Sequence, residues 1–421
     1  MTRLSLTALV AGIALAAGTA SAAAQSTETG IHLLNDVRYL SSDELGGRLT
    51  GQPGADSAAA YIARRFEESG LLPSPNGWFQ EFTVSPDAPI AKSSGLGGAA
   101  ARNVIGMLPG RDPGLRDEIV IVGAHYDHLG PGNFGALDSA GPVHNGADDN
   151  ASGTSALIHI AKRLAAAPPA RTVVFVAFSG EEGGLLGSAN YVKQPVFPLA
   201  ATTAMVNLDM VGRIKNNRLI VFGAGTAAEF PALLDSLNAT TQFDLKASGD
   251  GWGPSDHASF YGAGKPVLHV FTDLHEDYHR ASDDWDKIEV DGLERVANFT
   301  AEMVRALANR KAPLTFINVP PPPPPAASVS GGGGASLGTI PDMTENPGGV
   351  RLTGVRAGSA AEKAGLQAGD IITGIGGMAV PDLQGMTNAL GQHKPGDTVE
   401  VRFIRDGAEM TVTAILGTRG R

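Results

Sequence analysis

The stretch VVFVAFSGEEGGLLGS, from Val173 to Ser188, constrains the fold more than any other. Val173 to Phe178 is an unbroken run of β-forming and apolar residues with no polar alternation. Such a strand is buried on both faces, so it needs a sheet with cover on each side. It ends in Ser179 and Gly180 and then delivers two adjacent carboxylates, Glu181 and Glu182. Buried charge is costly unless it is paired or bound to a metal, so the strand end predicts a polar site.

The same pattern recurs along the chain. EIVIVGAHYD, AMVNLDM, RLIVFG and PVLHVF read as further buried strands. Helices fall between them. IHLLNDVRYLSS opens as an amphipathic helix. GADSAAAYIARRFEESGL places Ala58, Ile62 and Phe66 on one face and stops at Gly70. SGTSALIHIAKRLAAAPP carries a stripe of Leu157, Ile160, Ala161 and Leu164, and DGLERVANFTAEMVRALANR closes the series. The predicted class is α/β, a mainly parallel mixed sheet sandwiched by helices. In such sheets, sites form at the carboxyl ends of the strands.

KAPLTFINVPPPPPPAASVSGGGGAS divides the chain. Pro320 to Pro325 is a polyproline rod of roughly 19 Å, at about 3.1 Å per residue. Gly331 to Gly334 adds a flexible joint. The expected organisation is an export signal at 1–24, a large domain at 28–312, a linker at 313–335 and a small β-rich domain at 336–418. The signal rests on Arg3, the apolar run Leu4 to Ala17, and small residues that permit cleavage after Ala22 or Ala24. An uncleaved N-terminal anchor is the alternative. No later segment has the length and apolarity of a membrane span.

The chain has no cysteine, so no disulfide or thiolate metal site is available. Its formal net charge of −11 argues against nucleic acid as a partner. Any metal must be held by histidine and carboxylate. Export without cysteine fits a periplasmic or secreted protein.

Five polar clusters follow predicted strand ends. They are AHYDHLG with His125 and Asp127, GADDNASG with Asp148 and Asp149, SGEEGG, NLDMVG with Asp209, and DYHRASDDWD with His279. Together they offer two histidines and several carboxylates at one edge of one sheet. Such groups are good zinc ligands, and two metals about 3.5–4 Å apart can clamp a hydrolytic transition state.

In this order the clusters resemble those of the co-catalytic di-zinc aminopeptidases, relatives of aminopeptidase Y and glutamate carboxypeptidase. The resemblance runs from LSSDELGGRLTGQPG, Leu40 to Gly54, to about Arg310. It leaves too little chain between Gln80 and Arg102 for the protease-associated insertion that many relatives carry. It implies two Zn²⁺ per chain, one on His125 and one on His279, with Asp149 bridging them. It further implies that Glu182 shares the zinc of His125 and Asp209 the zinc of His279. Asp127 orients His125, Glu181 is the general base, and the peptide bond after Asp149 is cis. Tyr278 is implied as a hydrogen-bond donor to the tetrahedral oxyanion. Three carboxylates on two divalent ions leave a net positive charge, which favours a bridging hydroxide. Asp256 and His257, in GWGPSDHASF, read as structural or pocket-wall residues. His128 reads as a supporting or surface residue, His269 and His159 as packing. Asp283 and Asp284 read as support for the His279 loop or as caps of the following turn.

The last segment, SLGTIPDMTENPGGVRLTGVRAGSAAEKAGLQAGDIITGIGGMAVPDLQGMTNALGQHKPGDTVEVRFIRDGAEMTVTAIL, resembles a bacterial PDZ domain. AGD, Ala368 to Asp370, reads as a tight turn between strands, DLQGMTNALGQH as its groove helix, and the last strands as a hairpin turning at Asp406-Gly407. The resemblance implies that Leu337, Gly338, Thr339 and Ile340 form a loop for a peptide carboxylate.

The expected activity is therefore hydrolysis of N-terminal residues from peptides or proteins, with a possible C-terminal peptide ligand at the PDZ module. A related carboxypeptidase or dipeptidase is the enzymatic alternative. A receptor-like or scaffold protein is the non-enzymatic one.

Overall fold

The computed structural model describes residues 27–87, 94–249, 251–319, 334–342 and 348–418. The expected signal at 1–24 and most of the Pro/Gly linker lie outside the described residues. Among the described residues, no helix is long and apolar enough to cross a membrane.

The large domain is built on a nine-stranded sheet. Its strands are β1 (Leu72–Pro73), β2 (Phe79–Thr83), β3 (Ala100–Leu108), β4 (Ile119–His125), β5 (Thr172–Phe178), β6 (Thr202–Leu208), β7 (Arg218–Phe222), β8 (Asp244–Ala247) and β9 (Val267–Phe271). The order is β1-β3-β5-β4-β6-β9-β7-β8, with β2 on β3. The four central strands β5, β4, β6 and β9 are parallel. β3 and β7 run antiparallel against this block on either side. The sheet is therefore mixed with a parallel centre, as the run of apolar strands implied. β2 leads into β3 by antiparallel pairing, with Thr83 opposite Ala100, and the chain between them is short.

Alternation along β5 shows how the opening apolar run is used. Val173, Phe175 and Ala177 belong to the main core, while Val174, Val176 and Phe178 belong to the core on the opposite face. The main core lies under α1 (Glu28–Leu40), α2 (Pro53–Glu68), α3 (Gly153–Ala165) and a long closing helix, Val290–Asn309. The other face packs on Tyr191 of α4 (Leu186–Lys193) and, beyond α5 (Phe230–Thr241), on Phe260 of α6 (His257–Gly262). The closing helix is α7. The stripe read from sequence, Leu157, Ile160, Ala161 and Leu164, is fully buried against the sheet.

The small domain is a six-stranded antiparallel sheet with a separate strand pair. Its strands are β10 (Ala335–Ser336), β11 (Thr339–Pro341), β12 (Val350–Val355), β13 (Ile371–Ile375), β14 (Met378–Ala379), β15 (Thr398–Arg405), β16 (Ala408–Ile415) and β17 (Gly417–Thr418). Among the described residues, two helices, α8 (Ala360–Lys363) and α9 (Leu383–Gly391), complete it. The β15–β16 hairpin turns at Asp406 and Gly407, both with positive φ, 51° and 80°. That is the two-residue turn whose twist matches a hairpin. The AGD turn is held by Asp370, whose carboxylate accepts from Arg405 Nε at 2.7 Å and Nη2 at 2.8 Å.

Phe175 touches both the sheet and Phe66 of α2, at 6.2 Å between ring centroids. Phe175→Ala is expected to destabilise the large domain by about 3–5 kcal/mol, because the cavity adds to the lost burial. Chemical denaturation measures it. A loss below about 0.5 kcal/mol, the size of an exposed-site change, contradicts burial of Phe175 in the main core.

Candidate metal centre

The four parallel strands deliver their ends to one edge. His125 is the last residue of β4, and Asp209 follows β6 directly. Glu181 and Glu182 follow β5 through Ser179 and Gly180, the latter at φ 77°. His279 lies on the segment after β9. Asp149 comes from the loop entering α3, and the Asp149–Asn150 peptide bond is cis, as the resemblance implied.

That loop is fastened on all sides. Asn150 donates to Leu208 O at 2.9 Å and accepts from Gly153 N and Met210 N. Asp283 accepts from the backbone N–H groups of Asp148 and Asp149. It thus supports the Asp149 loop. Asp148 accepts from Gly212 N at 2.7 Å and pairs with His275 at 3.1 Å. Beneath the loop, the fully buried Arg48 donates to the carbonyl oxygens of Tyr126, Leu40, Asn145 and Gly146. Burial pulls its pKa down to about 10, against the pull of Asp127 and Asp149, so it stays charged at neutral pH.

Two triads result. His125 Nε2 lies 3.3 Å from Asp149 Oδ1 and 3.3 Å from Asp209 Oδ1. His279 Nε2 lies 3.2 Å from Asp149 Oδ2 and 3.1 Å from Glu182 Oε2. Ligands of a tetrahedral zinc with bonds of about 2.0–2.1 Å stand roughly 3.3 Å apart. The donor atoms and their separations therefore fit two zinc ions that share Asp149. The histidine pKa values report an excess of negative charge at the same place. Burial opposes a charge on either ring, yet the surrounding carboxylates push both His125 and His279 well above the usual range. This arrangement favours cations.

The pairing differs from the one the resemblance implied. Asp209, not Glu182, shares a triad with His125, and Glu182, not Asp209, shares one with His279. The reason is the length of chain past each strand. Asp209 is one residue beyond β6, next to β4 in the sheet, so it stays level with His125. Glu182 lies beyond the Gly180 turn, which carries it past His125 toward the His279 segment. Glu181 stays near His125, with Oε2 3.9 Å from Nε2.

Asp127 acts twice. Its main-chain oxygen is 3.2 Å from His125 Nδ1, while its carboxylate is 3.8 Å away. That carboxylate instead accepts from Glu181 N at 3.1 Å and Thr50 Oγ1 at 3.0 Å. Tyr278 stacks on His279 at 3.9 Å. Burial, then the carboxylates of Asp149 and Glu182, raise the Tyr278 pKa well above its usual value, so its hydroxyl remains a donor.

Sequence reasoning passed over several supports. Ser255 donates to Asp209 Oδ2 at 2.7 Å and is itself held by Asn207 at 2.8 Å. Gly135 O takes His279 Nδ1 at 3.0 Å. Arg48, Thr50 and Ser255 are scattered polar residues without spacing, so no pattern marks them. Asp256 is fully buried, and burial pushes its pKa up to about 7. His257 and His269 stack at 4.4 Å.

Residues 103–304 match the model for peptidase family M28, and residues 335–416 match that for the PDZ domain. The large domain is a peptidase family M28 domain. A curated relative, Aminopeptidase YwaD of Bacillus subtilis (strain 168), is 28% identical over 226 residues, 51% of this chain and 47% of its own length. Leupeptin-inactivating enzyme 1 of Streptomyces exfoliatus is 29% identical over 270 residues, 62% of this chain and 53% of its own. The chain thus spans about half the length of these curated relatives. Among solved structures, the M28 fold is shared with BSAP, a zinc aminopeptidase from Bacillus subtilis. The TM-score is 0.53 at 18% identity, covering 68% of this chain and 97% of that one.

The M28 domain should be acid-sensitive for a definable reason. Burial depresses the His257 pKa to about 3, against about 6.5 in an unfolded chain. Between those values the unfolded chain binds a proton that the folded one refuses. Stability is therefore full above about pH 6.5 and falls as pH drops toward 3. His257→Phe should flatten this slope in denaturation midpoints taken between pH 7 and pH 5 in chelator. An unchanged slope would assign the acid sensitivity elsewhere.

Proposed function

We propose that the protein is an exported, zinc-dependent aminopeptidase that binds two zinc ions per chain. The observation that carries this reading is Asp149, which faces one oxygen to each of two histidine–carboxylate triads while Glu181 stands beside them. The names of the relatives, an aminopeptidase among them, support the substrate class.

His125, Asp149 and Asp209 would hold one zinc ion, and His279, Asp149 and Glu182 the other. Zinc held there supplies Lewis acidity, which polarises a peptide carbonyl and makes water a better nucleophile near neutral pH. The protein's own groups do the rest. The Asp127 carboxylate accepts from the Glu181 backbone N–H and so holds the main chain that carries the base. Burial, with Asp209 and Glu182 close by, raises the proton affinity of the Glu181 carboxylate. Such a group can accept a proton from water and return it to the departing amine. Tyr278 offers a phenol hydrogen to the oxyanion. A substrate's free α-amine finds acceptors in Glu181 and Asp209.

The PDZ module is read as a receptor for a peptide carboxylate at Leu337, Gly338, Thr339 and Ile340. β11 is at the end of its sheet. Gly338 O accepts from Arg356 N, just past β12, and Asp342 N donates to Arg351 O of β12, so Thr339 and Pro341 turn toward the outer edge. Pro341 has no N–H to give an added strand, which limits such a ladder to the residues nearest the carboxylate.

Glu181→Gln should retain both zinc ions by elemental analysis and lose about 10²–10⁴-fold in kcat, the share of a general base. Turnover close to wild type removes Glu181 from that role. A panel of free, N-acetylated and C-terminally amidated peptides tests the direction of attack. Cleavage is expected only with a free amino end. Cleavage of N-acetylated peptides that stops on C-terminal amidation would make the enzyme a carboxypeptidase.

A further inference from the structure

Glu182 has two oxygens, and the second triad uses one. The other, Oε1, lies 2.6 Å from Nδ1 of His128. His128 is completely buried, as its position three residues past the end of β4 did not suggest. The contact is too far off-axis to be a regular hydrogen bond, and His128 Nδ1, His128 Nε2 and Glu182 Oε1 have no hydrogen-bond partner among the described residues. The close approach leaves Nδ1 and Oε1 facing each other.

The ring cannot drift. Gly146, at φ 56°, lies against it, and a Cβ there would come within 2.5 Å of His128 Cγ. On another side the ring meets His279 edge-on at 5.9 Å. The backbone N–H of His128 is held by Arg48 O at 3.3 Å. The 2.6 Å separation is also shorter than the roughly 3.3 Å edge between two ligands of one tetrahedral ion. At that separation Nδ1 and Oε1 do not both ligate one ion, although His128, Asp149 and Glu182 as a group lie close enough together to hold a cation.

We propose that His128 is a positioning residue that occupies Oε1 of Glu182 and so presents Oε2 alone to the second cation position. A carboxylate without such a partner can rotate and offer either oxygen or both. His128 removes that freedom on the His279 side. On the His125 side, Ser255 does the same for Asp209 by taking Oδ2.

This inference rests on the two-zinc reading, and the test separates the two. The full chain is stripped of metal and titrated with Co²⁺, followed by calorimetry and visible absorption, with thermal melts as a fold control. Wild type is expected to bind two ions. His128→Leu should keep one ion at wild-type affinity and bind the other about 10–100-fold more weakly, the usual effect of losing a ligand's support. His128→Asn, whose amide N–H sits near the Nδ1 position, should restore the second ion. If the leucine variant melts early, His128→Gln takes its place, since its amide reaches one bond too far, and the weak second site is expected there. Two ions at wild-type affinity in His128→Leu overturn the proposal. An asparagine variant as weak as leucine, with a native melt, also overturns it, in favour of the imidazole as a ligand. A wild-type protein that binds no Co²⁺ overturns the two-zinc reading itself.

Discussion

The structure depends on the concentration of carboxylates at one edge of the central sheet. Asp127, Asp148, Asp149, Glu181, Asp256 and Asp283 are buried there, with Glu182 and Asp209 close to it. Left alone, such a group would repel itself apart or take up protons. Most members are satisfied locally, by Thr50 and Glu181 N, by Gly212 N and His275, or by the Asp149 loop backbone. What remains is a residual negative charge focused on two histidines. Arg48 sits beneath as a fixed positive charge that also ties together four carbonyls, from the end of α1, the residue after β4 and the chain before Asp149. The site is thus one electrostatic unit in which supporting residues hold most of the carboxylates that do not face the two triads, Asp256 being the exception.

Much of this was legible in the sequence because strand ends are legible. A strand buried on both faces has no alternation, so the first polar residue after it marks where the sheet edge lies. His125, Asp209 and the Glu181–Glu182 pair were found this way. The limit came where the chain leaves the strand. Whether Glu182 meets His125 or His279 depends on the turn at Gly180, and adjacency in sequence says nothing about that direction. The supports were harder still. Arg48, Thr50, Ser255 and His128 act through contacts between segments far apart, and none stands in a repeating pattern. Among elements, β1, β2 and β8 are short or marginal strands, and α5 joins the core through few residues, so none left a strong periodic signal.

In the small domain the hairpin and the AGD turn were readable because both depend on local backbone preference. Asp406 and Gly407 adopt the φ values that a tight hairpin demands, and Asp370 reaches only three residues back to Gln367 N. Its pairing with Arg405 is long-range and was not visible. The contrast with the metal centre follows from range: turn chemistry lies within a few residues, whereas a cation site gathers side chains from five segments.

Asp149 faces both triads, one oxygen to each. On the two-zinc reading proposed above, the two positions would not be filled as independent events. A cation on the His125 side would fix the orientation of the carboxylate that the His279 side must use, and would draw away part of its charge. By thermodynamic reciprocity, whatever factor the first occupant imposes on the second, the second imposes on the first. Because preorganisation and shared charge act in opposite directions, their balance sets the sign of that coupling. On that reading the single bridging residue would make metal content a graded, history-free function of free-ion concentration whose steepness is written into one side chain.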